Sequence, residues 1–141
     1  MKEELQSNPF EKEYDSHKEP PFLKLRFSVV ANEWFSSMAV KSLESEFYEL
    51  KTNVTTSCYG VRVLETDRST KRLSLGSDYS EIEIVAEYQV VDPYGPLDDS
   101  SRDVAIEHFR TAAYNIASKL RGVYYVHLSF DRENEYYTLK Q

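Results

Sequence analysis

Between Ser100 and Phe130 the spacing of apolar residues changes once, and Gly122 stands at the change. Ahead of it Ala105, Phe109, Ala112, Ile116 and Leu120, widened by Ala113 and Ala117, recur at the roughly 3.6-residue period of a helix face. Behind it "VYYVHLSF" alternates at the two-residue period of a strand, with Tyr124, Val126, Leu128 and Phe130 on one side. Ser100 or Ser101 is expected to cap the helix, Asp103 complements its dipole, and Lys119 and Arg121 fill its last turn before the glycine stop. A helix that returns directly into a strand must lay its apolar stripe on the sheet containing that strand. This one unit constrains the fold more than any other feature.

The other segments repeat the theme. "FLKLRFSVV", 22–30, alternates Leu23, Leu25, Phe27 and Val29 against Lys24, Arg26 and Ser28. Asn32 is expected to cap a helix over 33–50 whose stripe is Phe35, Ala39, Leu43, Phe47 and Leu50, with Met38 beside it. "EIEIVAEYQVV", 81–91, faces Ile82, Ile84, Ala86, Tyr88 and Val90 one way and Glu81, Glu83, Val85, Glu87 and Gln89 the other. Asp92-Pro93-Tyr94-Gly95-Pro96 ends it, because proline cannot continue a ladder. Residues 52–75 admit two readings. One is a single strand with Tyr59, Val61 and Val63 on a face; the other is a hairpin turning at Asp67-Arg68-Ser69 and returning through "KRLSL". "NEYYTLK" suits a short edge strand after a turn over 131–134.

The order strand, helix, one or two strands, long strand, helix, strand is that of an α+β, ferredoxin-like split βαβ fold: an antiparallel sheet of four to five strands with two helices on one face. Residues 1–20 alternate charges and end in Pro20-Pro21; they read as a mobile charged tail, leaving 21–141 as one α+β domain.

Composition narrows the function classes. The net charge of −7 disfavours a phosphate backbone as partner. Cys58 is the one cysteine, so an intrachain disulfide and a cysteine-based zinc site are both excluded. The first twenty residues lack the apolar core of a signal peptide, and no apolar run reaches the length of a membrane span, so a cytoplasmic protein is expected. Phosphate-cradling glycine loops, H-E-x-x-H and G-x-S-x-G are all absent. No catalytic residue, cofactor or metal is assigned.

The candidate surfaces follow from topology. In this fold the first strand lies between the long strand and the last. Lys24 and Arg26 would then sit beside Glu83 and Glu87 on one side and beside Tyr125 and His127 on the other, on the face that the helices leave open. Arg62, Arg68, Lys71 and Arg72 would form a basic tip at the hairpin, suited to an acidic partner or a phosphate. The clustered Asp92, Asp98, Asp99 and Asp103 are explained by turns and helix-dipole complementarity, and Cys58 reads as a small core residue.

Residues 79–130, a long alternating strand, a loop with proline and aspartate, a helix and then "GVYYVHLSF", resemble the C-terminal half of SecB-type export chaperones. The resemblance covers about a third of the chain and implies an acidic oligomer that holds unfolded chains. That family's proline-containing helix start and its closing proline and asparagine segment are missing here. The expected function is a non-enzymatic interaction module that self-associates, most simply as a dimer, or binds a protein partner through the open sheet face. A chaperone or adaptor for extended chains is one alternative. The other is a small enzyme with an acid/base site near Glu87 and His127.

Overall fold

The computed structural model describes residues 21–33, 36–73 and 81–138; the expected tail at 1–20, and with it Phe35 of the first helix stripe, lies outside them. The elements are β1 (Leu23–Asn32), α1 (Ser36–Ser57), β2 (Arg62–Arg72), β3 (Glu81–Val91), α2 (Asp99–Lys119), β4 (Val123–Phe130) and β5 (Glu133–Tyr137). The strands form one sheet in the order β2-β3-β1-β4-β5, antiparallel throughout. This is the ferredoxin-like α+β arrangement with a fifth strand added beside β4. No helix among the described residues is long and apolar enough to cross a membrane.

One face of the sheet carries the core. Leu23, Leu25, Phe27 and Val29 of β1, Ile82, Ile84, Ala86, Tyr88 and Val90 of β3, and Val126, Leu128 and Phe130 of β4 are buried against Leu43, Phe47, Leu50 and Val54 of α1 and the alanine-rich stripe of α2. At its centre Phe27 stacks on Phe109 at 5.6 Å, and Tyr88 meets Phe47 and Phe109 edge-on at 5.5 and 5.6 Å. Ala105, Ala112, Ala113 and Ala117 have short side chains, which let α2 lie close to the strands.

Several local expectations change. Asn32 is the last residue of β1 rather than a helix cap, and α1 runs on to Ser57, a turn and more beyond Leu50. Val54 and Cys58 continue its buried stripe, and Met38 points to solvent. The N-cap of α2 is Asp98, whose carboxylate accepts the Ser101 N–H at 2.7 Å, so Ser101 lies inside the helix. Gly122 does follow the helix end, at φ 82°, where a side chain would be strained. Tyr124 is exposed: the β1–β4 register skips it, pairing Val30 with Tyr125 and Ala31 with Val123.

Of the two readings of residues 52–75, the single strand is the one observed, and it starts only at Arg62 because α1 takes the residues up to Ser57. There is no hairpin at Asp67–Ser69. β2 is one eleven-residue strand laid along β3, and a bulge at Thr66 absorbs the irregularity. Tyr59 precedes the strand in a turn and is fully exposed; Val61 and Val63 are buried. The eleven residues of β3 offer β2 a partner along its whole length, and satisfying that ladder outweighs the local turn preference of Asp-Arg-Ser.

Candidate interaction surface

The second face of the sheet has no element over it among the described residues. Its rows are set by register. Lys24 stands opposite Gln89, Arg26 opposite Glu87, Ser28 opposite Val85 and Val30 opposite Glu83. On the other flank Arg26 meets Ser129, Ser28 meets His127, and Val30 meets Tyr125. β5 extends the face, with Tyr136 beside His127 and Asn134 beside Ser129.

The centre of this face is more apolar than the alternation implies. Ser28, Val30 and Val85 are 3, 3 and 8 % exposed. They are short side chains set between longer ones, Glu83, Tyr125 and His127, on adjacent strands. The Ser28 hydroxyl donates to a Glu83 carboxylate oxygen, satisfying the one small polar group there. Arg26 and Glu87 form a half-exposed ion pair at 3.6 Å, of the kind that contributes at most about 1 kcal/mol.

Toward β5 the face becomes aromatic. The His127 ring lies flat on Tyr136, centroids 4.4 Å apart with 7° between planes, and Tyr125 packs against Tyr136 at 6.2 Å. His127 Nε2 is 2.8 Å from Asn134 Oδ1. Tyr136 is 66 % exposed. The signal for this contribution was present in "NEYYTLK", but its register beside His127 requires the β4–β5 pairing.

The face thus brings Arg26 to Glu87 and Tyr125 toward His127, while Lys24 lies at its margin beside Gln89. His127 and Glu87 are not neighbours. They lie on strands separated by β1 and one register row apart, and each has another partner.

Arg62, Arg68, Lys71 and Arg72 make no tip. They are spread along β2 on both faces of the sheet. Arg68 lies on the helix side, 5.5 Å from the Phe47 ring, donating to Glu65 at 2.8 Å and Glu44 at 3.3 Å. Arg72 pairs with Glu33. Asp92 accepts the Tyr94 N–H at 2.9 Å, and no cluster of three or more metal-ligating side chains occurs among the described residues. Cys58 is buried, and burial pushes its thiol pKa up, away from nucleophilic reactivity. One contact went unforeseen: His108 Nε2 lies 3.0 Å from Ser57 Oγ, joining the end of α1 to α2.

No protein-family model matches the chain, and no curated protein does. Among solved structures the fold is similar to part of a proposed aminohydrolase from methicillin-resistant Staphylococcus aureus, at 12 % identity and a TM-score of 0.50, over 79 % of this chain and 30 % of that one. A hydantoinase/carbamoylase family amidase from Burkholderia ambifaria gives 12 % identity and a TM-score of 0.48, over 81 % of this chain and 28 % of that one. The C-terminal domain of the MgtC protein from Mycobacterium tuberculosis gives 12 % and 0.39, over 84 % and 97 %. The chain spans under a third of the length of the two enzymes. At such identity the likeness shows the α+β fold alone.

Proposed function

We propose that the protein is a non-enzymatic interaction module whose uncovered sheet face docks a protein partner. The observation that supports this is the aromatic patch on that face, where exposed Tyr136 is held flat on His127 beside Tyr125 and next to a buried centre of Ser28, Val30 and Val85. Aromatic side chains with two rotatable bonds lose little entropy when they are covered, and they serve as anchors at interfaces. The flanking ion pair of Arg26 and Glu87 supplies a polar rim. The free, buried thiol of Cys58 suits a reducing compartment, in keeping with a cytoplasmic setting.

Chemical cross-linking in the native host, followed by isolation of the chain, tests the reading with wild type and Tyr136→Asp compared side by side. The variant should keep the native far-ultraviolet spectrum and lose the cross-linked partner. A partner retained in full by Tyr136→Asp removes the face from the interaction.

A further inference from the structure

The outer edge of β2, which no strand pairs with among the described residues, bears a second, separate surface. β2 ends the sheet, and every residue from Leu64 to Arg72 is exposed. Such an edge presents backbone donors and acceptors to another strand. Two of its charges lie on the uncovered face: Asp67 opposite Glu87, and Lys71 opposite Glu83. Asp67 thus faces a like charge in its own sheet, which is destabilising. Glu87 is engaged by Arg26 and Glu83 by Ser28. Neither the Asp67 nor the Lys71 side chain has an ion-pair or hydrogen-bond partner among the described residues, whereas Arg68 and Arg72 are held by Glu65, Glu44 and Glu33.

We propose that the protein forms a two-fold dimer in which β2 pairs antiparallel with β2 of a second copy about an axis at Ser69. Residues directly opposite in such a pair share a face, with Cβ atoms about 4.5–5.5 Å apart. Each Asp67 then meets the Lys71 of the other copy, and the two-fold makes this ion pair twice. Arg68 meets Thr70, and Ser69 meets itself. The bulge at Thr66 closes the paired segment at one end and, by symmetry, at the other.

Charge selects this register. Keeping each side chain on its own face permits only shifts of two residues, which move the axis by one. An axis at Arg68 sets the two copies of Arg68 against each other; an axis at Thr70 sets Arg68 against Arg72. An axis at Asp67 or Lys71 sets that residue against itself. Ser69 is the one centre between Asp67 and Lys71 that opposes no like charges. The result is one continuous sheet with five strands from each copy, which leaves the aromatic face free.

Sedimentation of the full chain over a concentration series tests the pairing with Asp67→Lys, Lys71→Asp and the double variant. Asp67→Lys removes the repulsion from Glu87 within its own sheet, so weaker association in that variant does not come from a weaker fold. Each single variant should raise the dimer dissociation constant about tenfold, and the double variant, which restores opposite charges, should return to within about threefold of wild type. A charged, bulged edge also serves to repel other strands; a wild type that stays monomeric at high concentration overturns the proposal. So does a dimer indifferent to Asp67→Lys, or one not rescued in the double variant. A dimer broken by Tyr125→Asp but not by Asp67→Lys overturns it by moving the interface to the aromatic face.

Discussion

Arg110 holds Glu135 from helix to edge strand, with Nε 3.0 Å from both carboxylate oxygens and Nη2 2.7 Å from Oε2. The Tyr137 hydroxyl donates to the same carboxylate at 2.6 Å, and the guanidinium lies 5.5 Å from the Phe130 ring. Among the described strands β5 pairs only with β4, so this contact fastens the edge strand to α2.

Glu135→Gln should therefore cost about 1 kcal/mol at neutral pH, a modest figure because Arg110 is 37 % exposed and the pair is screened. The hydrogen bonds from Arg110, aided by Tyr137, hold the Glu135 pKa below its ordinary value of 4.5 against the opposing effect of burial. A depressed folded-state value means the stabilisation is complete above pH 4.5 and is lost as pH falls through the folded-state value. Urea denaturation of wild type and Glu135→Gln should show curves that converge in acid. An unchanged difference in acid would show that the cost comes from packing rather than charge.

Arg102 is 6 % exposed and reaches both oxygens of Asp131, at 3.3 and 3.2 Å, and the Phe22 carbonyl at 3.3 Å. It joins the start of α2, the entry to β1 and the β4–β5 turn. Asp131 itself sits at φ 52°, a left-handed conformation that alanine tolerates poorly. Asp131→Ala should cost about 2–4 kcal/mol, from loss of the carboxylate beside a buried guanidinium and from backbone strain together. Asp131→Gly keeps the first loss and relieves the second, so it should be about 1 kcal/mol milder. Equal losses in thermal unfolding would remove the strain contribution.

Phe109 has no exposed surface and lies against Phe27 and Tyr88. Phe109→Ala should cost about 3–5 kcal/mol through lost transfer energy and a residual cavity. Glu107, two residues away on the solvent side, pairs with Arg110 in the same helix at 2.5 Å. Glu107→Ala should cost under about 0.5 kcal/mol. Chemical denaturation that found the two substitutions equal would contradict the helix phase.

The Tyr88 hydroxyl is buried beside Glu65 and Arg68, and among the described residues it makes no well-formed hydrogen bond. Burial pushes its pKa far above the ordinary phenol value. Tyr88→Phe removes a buried polar atom that is poorly bonded and leaves the ring contacts intact, so it should be neutral or stabilising by up to about 1 kcal/mol. A loss of stability above 1 kcal/mol on denaturation would show that the hydroxyl is bonded in solution.

The periodicities alone determined the class of fold. Period-two runs at 23–30, 81–91 and 123–130 and the two helical stripes between them left a single economical layering, and the faces packed on the helices are those the alternation marks, apart from Tyr124. Helix capping was legible only to within a few residues, because Asp98, Ser100 and Ser101 are all competent caps and the loop geometry chose among them. The tertiary structure decided everything that depends on register. It separated His127 from Glu87, placed Tyr136 on His127, and drew residues 62–72 into one bulged strand where the local residues admitted either one strand or a hairpin. The physical reason is one of range. Periodicity reports which face of an element is wet, a property written within a few neighbouring residues. The partner a side chain meets across a sheet depends on the alignment of strands far apart in the chain, which is settled by core packing and by completion of the hydrogen-bond ladder.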